Sequence, residues 1–129
     1  MTQALTSWDA LNNWRNITLR MLVEKDIDLS TRQLAILLTV YLTPPPHTVK
    51  NLSERLQISK PAVCRAIDTL SQNGLIKRRK DEKDSRVVLV QRTVKGSVYL
   101  SELSDIILSV SAKMPDSVSP YPSLEKLSA

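Results

Sequence analysis

The sequence predicts a mainly α-helical chain of 129 residues that carries one small β-hairpin. Three observations predict it. Apolar residues recur at helical intervals along much of the chain, two short helical patterns meet across a tight turn at Gln57 and Ile58, and one β-branched run alternates with period two. With 42% hydrophobic and 24% charged residues the chain can bury one proper core but hardly two, so a single domain over 1–129 is expected.

The first helix is expected over 7–25, capped by Ser7. Its apolar residues form two groups: Leu11, Trp14, Ile17, Met21 and Leu22 on a broad face, Trp8, Leu19 and Val23 on an adjoining one. A helix that is apolar on two sides has two neighbours, here the chain's own core and a second subunit. Ser30 and Gln33 then make a capping-box pattern at the head of TRQLAILLTVYL, a buried helix. The prolines of TPPPH end it, because proline has no amide hydrogen to continue the ladder, and they favour a stiff extended connector.

Two short helices follow. The first buries Val49, Leu52 and Leu56; the chain turns, and Ser59 caps a second helix in which Pro61 is tolerated because first-turn amides lack partners anyway. That helix buries Val63, Ile67 and Leu70 and is expected to turn Pro61, Ala62, Arg65, Thr69 and Gln72 outward. Gly74 suits a left-handed stop. LIKRRK and RVVLVQR then read as strands joined by the polar tip DEKDS, with Val88 and Val90 on one side and Val87 and Leu89 on the other. A last helix over 94–114 carries Leu100, Leu103, Ile107, Val110 and Met114, two heptads of seam that fit either helix pairing or core packing. The Pro- and Ser-containing end, 115–129, is expected to be a loosely ordered tail.

Charge and composition narrow the function. The net charge is +5, but between Lys50 and Lys95 twelve Lys and Arg stand against five Asp and Glu, and the remainder holds six against eight. The basicity is therefore local, as neutralising backbone phosphates requires. An ordinary solvated surface would account for the charge alone. One cysteine, Cys64, and one histidine, His47, cannot assemble an internal disulfide or a zinc site, so no metal and no cofactor is expected. Cys64 lies beside the buried stripe and is expected to be inert and semi-buried. Two glycines make no phosphate cradle and no nucleophile motif is visible, so the chain is not expected to be an enzyme. The opening MTQALTSWDALNNW lacks the pattern of a secretory signal, and the longest uncharged run, 33–49, is broken by three prolines. A cytoplasmic protein with no membrane segment is expected.

Two short helices at a tight turn, then a hairpin, is the order of a winged helix-turn-helix, here 48–93 flanked by the terminal helices. Such proteins lay the second helix in the DNA major groove. Ser59, Lys60, Pro61, Ala62 and Arg65 near its start are the candidate contacts, with Arg65 as the bidentate donor for a guanine or phosphate, and Lys60, Thr69 and Gln72 as positioning contacts. Thr48, Lys50 and Arg78 are assigned to backbone phosphates. The alternative is a winged-helix module for protein contacts within a larger assembly, favoured by Val87 and Leu89 on the hairpin's second side. It does not explain why the charge excess coincides with the helix-turn-helix and the hairpin.

From about Leu29 to Val110 the sequence resembles the MarR family of winged-helix transcriptional regulators. LSERLQISKPAVCRAIDTLSQNGLIKRR is similar to that family's helix-turn-helix, and DSRVVLVQRTVKG to its wing signature of D-x-R, an apolar strand and L-T-x-x-G. The resemblance implies a sequence-specific regulator of double-stranded DNA, most commonly a repressor, that dimerises through its N- and C-terminal helices and acts at the nucleoid. It implies that Arg86, next to Lys83 at the wing tip, is similar to the arginine that enters the minor groove, and that Asp84 holds that arginine in place. Arg92 departs from the pattern, standing where the family has leucine. Small-molecule effectors are common in the family; the sequence names none.

Overall fold

The structure is a computed structural model and describes residues 6–113. Five helices and one antiparallel pair of strands follow in the order α1 (Ser7–Glu24), α2 (Thr31–Leu42), α3 (Val49–Leu56), α4 (Lys60–Gln72), β1 (Ile76–Lys80), β2 (Val88–Arg92) and α5 (Val94–Ser111). The described residues divide into two compact units, one of residues 27–101 and one that joins 6–26 to 102–113. The expected final helix ends three residues early, and the 115–129 tail and Met114 lie outside the described residues.

In the larger unit, side-chain caps fix where each helix starts. Ser30 accepts from the Gln33 amide at 3.1 Å while Gln33 Oε1 accepts from the Ser30 amide at 2.9 Å, the reciprocal box expected at the head of α2. Thr48 caps α3 through the Asn51 amide at 3.0 Å, and Ser59 caps α4 through the Ala62 amide at 3.3 Å. Only Gln57, Ile58 and Ser59 separate α3 from α4. The turn closes because Gln57 adopts a left-handed conformation, φ 55°, and Ser53 Oγ donates to the Ile58 carbonyl at 2.6 Å. Gly74 ends α4 with φ 73°, and the Leu75 amide returns to the Leu70 carbonyl at 3.0 Å.

The core of this unit comprises Ile36, Leu37 and Val40 of α2, Leu52 of α3, Val63, Ala66, Ile67 and Leu70 of α4, then Leu75, Ile76, Val90 and Tyr99. Each fully buried aliphatic side chain contributes roughly 1.5–3 kcal/mol of transfer free energy, so this cluster holds α4 and the hairpin at fixed angles to one another. The hairpin register pairs Ile76 with Arg92, Arg78 with Val90 and Lys80 with Val88. Val90 is accordingly on the core-facing side, as the period-two pattern expects. Thr48 forms an isolated bridge to Leu89, and the Val90 amide donates to the His47 carbonyl at 2.8 Å, so the segment before α3 lies along β2.

Arg92 occupies the leucine position of the wing signature without disrupting the fold. Its Nε donates to the Val40 carbonyl at 3.1 Å and its Nη2 to the Thr43 carbonyl at 3.2 Å, while its guanidinium lies 5.8 Å from the centroid of the Tyr41 ring. The charge thus satisfies carbonyls at the C-terminal end of α2, where the helix dipole favours a cation.

In the smaller unit α1 is capped by Thr6 rather than by the expected Ser7. Thr6 Oγ1 accepts from the Asp9 amide at 3.2 Å and Asp9 Oδ2 accepts from the Thr6 amide at 3.1 Å, a reciprocal pair Ser7 cannot make because its third residue onward is Ala10. Ile17, Ile106 and Val110 form its core, with Met21 packed against them. Arg20 bonds Glu24 at 2.6 Å and Ser109 Oγ at 3.0 Å, and Lys25 pairs with Glu102 at 2.6 Å. The seam of α5 is also corrected. Tyr99, Leu103, Ile106 and Val110 are the buried positions, and Ile107, expected in the seam, is 38% exposed. Spacings of four, three and four place these buried residues on one stripe, and Ile107 lies about 100° around the helix from Ile106.

Candidate nucleic-acid interface

The outward side of α4 is set by what the helix buries. Val63, Ala66, Ile67 and Leu70 face the core, and so does Ala62, which is 6% exposed. This corrects the expected outward placement of Ala62: one residue before Val63 and four before Ala66, it falls on the edge of the buried stripe. Ser59, Lys60, Pro61, Arg65 and Gln72 are exposed, and Thr69 is half-buried. The Ser59 hydroxyl is engaged as the helix cap, and the Thr69 hydroxyl donates to the Arg65 carbonyl at 3.3 Å. The Arg65 guanidinium has no hydrogen bond or ion pair to any described residue, so its five donors stay available.

Cys64 is exposed, not semi-buried as expected. Directly after Val63, it turns about 100° away from the core and joins Pro61, Arg65, Asp68 and Gln72 on the outward ridge. Asp68 is the residue of this ridge that is absent from the contacts expected from sequence. Its Oδ1 accepts from Arg78 Nη2, a bond that ties the outer side of α4 to β1. The signal was present in the spacing: Asp68 is three residues after Arg65 and four before Gln72.

The hairpin tip is built by its aspartates. Asp81 Oδ1 accepts from the Lys83 amide at 3.0 Å, and Asp84 Oδ1 accepts from the Arg86 amide at 3.1 Å, each carboxylate folding the chain back two residues later. The Asp81 amide donates to the Val87 carbonyl and the Val87 amide to the Asp84 carbonyl, both at 2.9 Å, closing the loop. Asp84 also grips the Arg86 side chain with both oxygens, Oδ1 to Nε at 3.1 Å and Oδ2 to Nη2 at 3.2 Å. The Arg86 side chain remains 89% exposed. The Arg86 guanidinium, and next its backbone amide, hold the Asp84 carboxyl below its ordinary pKa. Lys83 is exposed beside it.

Of the residues assigned to phosphates, Lys50 is exposed and Thr48 is half-buried with its hydroxyl committed to the α3 cap. Arg78 is exposed and held by Asp68. Arg79 pairs with Glu82 at 2.9 Å. Flanking α4 is an open cleft of about 670 Å³ with Leu56, Ile58 and Ala66 among its apolar lining and Arg32 and Arg65 among its polar lining. Among the described residues no group of three or more His, Cys, Asp or Glu is placed to hold a metal ion, and no helix is long and apolar enough to cross a membrane.

Residues 29–88 match the family model described as MarR family. Several solved structures share the fold. The YusO protein of Bacillus subtilis is similar at a TM-score of 0.71 and 22% identity, over 94% of this chain and 82% of that one. The S. aureus MepR–DNA complex matches at 0.68 and 20%, over 79% and 82%. The transcriptional regulator BldR from Sulfolobus solfataricus matches at 0.61 and 26%, over 91% and 79%. The arrangement of five helices and a two-stranded wing is thus that of winged-helix MarR structures.

Proposed function

We propose, from the match of residues 29–88 to the MarR-family model, that this chain is a sequence-specific, double-stranded-DNA-binding transcriptional regulator, a repressor acting as a homodimer in the cytoplasm, with no enzymatic activity. One observation carries the proposal. The two arginines with the reach to read DNA sit on a rigid frame and point to solvent: Arg65 without a protein partner among the described residues, and Arg86 oriented by a two-oxygen grip from Asp84. The similarity to a chain solved in complex with DNA supports the same partner.

In this mechanism α4 enters the major groove, where Arg65 donates two parallel hydrogen bonds to guanine O6 and N7, while Lys60 and Gln72 set the depth of the helix. Arg86 enters the adjacent minor groove. A narrow minor groove concentrates negative potential, and a guanidinium already fixed by Asp84 loses little conformational freedom on entry. Lys50, Lys83, the amides at the start of α3 behind Thr48, and Arg78 lie against phosphates. Homodimer formation is supported by the smaller unit, where Trp14 and Leu22 of α1 and Leu108 of α5 are 55%, 73% and 65% exposed. Two copies read a palindrome with half-sites about one helical turn apart. Val87 and Leu89 are half-buried, so the hairpin's second side supplies no large apolar surface for the alternative of a protein-contact module.

The proposal is tested by selecting duplexes from a randomised pool with the purified protein at two salt concentrations. Enrichment of a palindrome, with affinity falling steeply as salt rises, is the expected result. Failure to retain any duplex even at low salt would overturn it.

A further inference from the structure

We propose that Asp68 is a specificity-determining residue of this DNA contact, a fixed hydrogen-bond acceptor that selects a cytosine in each half-site. The inference rests on the major-groove docking of α4 proposed above. Asp68 lies on the outward ridge of α4 with Pro61, Arg65 and Gln72, on the side of the helix opposite Val63, Ala66 and Leu70. A carboxylate three residues from Arg65 on this outward ridge opposes binding to phosphate.

The geometry says what it can do instead. Oδ1 of Asp68 is bound by Arg78 Nη2. Oδ2 has no partner among the described residues, and the side chain as a whole is 56% exposed. Arg78 leaves β1 opposite Val90, on the core-facing side of the hairpin, so the clamp on Asp68 is anchored in the folded frame. An ionised carboxylate only accepts hydrogen bonds. In the major groove its match is the N4 amino group of cytosine, whereas the O6 and N7 atoms of guanine, and phosphate oxygens, are acceptors that it repels. Arg65, one turn before Asp68, takes the opposite chemistry, so guanine and cytosine are read by neighbouring side chains on one ridge.

Selection with the full-length protein and two variants tests this. The wild-type protein should enrich cytosine at one position in each half-site. Asp68→Ala should lose that preference, by about tenfold in relative affinity, with the remaining positions unchanged. Asp68→Asn should shift the same position towards adenine, because a carboxamide pairs with adenine N6 and N7. A structural tie to Arg78 alone would not move a base preference. If both variants keep the wild-type sequence logo and change only overall affinity or its salt slope, Asp68 is not a reader and the assignment falls while the regulator stands. If the wild-type protein enriches nothing, both fall together.

Discussion

The hydroxyl of Tyr41 occupies the space that a β-carbon on Gly96 would need. Such a carbon would overlap the Tyr41 oxygen and the Leu75 carbonyl and stand 2.7 Å from Tyr41 Cζ. The closeness has a purpose in the hydrogen bonding. Tyr41 donates to the Leu75 carbonyl at 2.6 Å and accepts from the Thr93 amide at 2.9 Å, while Thr93 Oγ1 donates to the Gly74 carbonyl at 2.7 Å and accepts from the Gly96 amide at 3.0 Å. One phenol and one threonine thereby join α2, the end of α4, and the start of α5. The threonine and glycine of the wing signature are the two residues this junction cannot exchange.

Gly96→Ala should therefore destabilise the protein by about 2–3 kcal/mol, as overpacking against backbone does. Tyr41→Phe should cost about 1–3 kcal/mol by stranding the Thr93 amide. Urea unfolding monitored by tryptophan fluorescence and circular dichroism reads both. A Gly96→Ala protein as stable as wild type would mean that α5 can shift to make room and that the junction is loose.

Arg65→Ala should weaken binding to the selected duplex by about 1–3 kcal/mol and to unrelated duplex by much less, because a bidentate base contact is lost only where the base is present. Binding isotherms on both duplexes at one salt concentration decide it. Equal losses on the two would make Arg65 a phosphate contact instead.

What could be read in advance follows from how local each signal is. Caps at Ser30 and Ser59, the stop at Gly74 and the alternation around Val90 depend on residues a few positions apart, and the structure has them as expected. The buried stripe of α4 has Val63, Ile67 and Leu70 as expected and is wider at one edge, where it takes in Ala62. Alanine carries almost no polarity signal, so Ala62 fits either edge of the stripe, and the semi-buried expectation for Cys64 rests on its place beside that stripe together with the frequent burial of free cysteine, whereas the residue is exposed. Arg92 was illegible for a different reason. Its partners are carbonyls near the end of α2, about fifty residues away in sequence, and no local pattern announces a charge that completes another helix's end. On α5 several apolar stripes fit a helix this rich in leucine, isoleucine and valine, so the spacing points to Leu100 and Ile107 as readily as to Tyr99 and Ile106, which are the buried pair.

The Asp84 carboxyl should titrate below the ordinary aspartate value of about 3.9. The sign is fixed by its cause: Arg86 stabilises the ionised form, so the grip on Arg86 is complete above the unfolded value and is lost as pH falls through the lower folded one. Carboxyl chemical shifts followed by NMR should show an early midpoint in the wild type and a higher one in Arg86→Ala. Matching midpoints in the two proteins would mean that the guanidinium does not hold the carboxylate in solution.

Arg86→Ala should also weaken binding most on duplexes whose flanks are A/T-rich with a narrow minor groove. Affinities for a set of duplexes that share the selected half-sites and differ only in the flanks measure this. A loss independent of flank sequence would place Arg86 on a phosphate instead.

The last expectation concerns subunit number. Trp14 and Leu22 project from α1 into solvent although both are large and apolar, and exposing both in an isolated chain forfeits roughly 2 kcal/mol or more for each side chain that could be buried. Pairing with a second copy recovers that energy and supplies the twofold axis that a palindrome requires. Leu22→Glu, placing a charge at a position 73% exposed in the single chain, should leave helical content intact while shifting the mass seen by light scattering from dimer to monomer. The monomer should bind a single half-site as the wild-type protein binds it, and lose the added affinity for the full palindrome. A Leu22→Glu protein that scatters as the wild type does would remove Leu22 from the subunit interface, and a wild-type protein that scatters as a monomer would remove the homodimer itself.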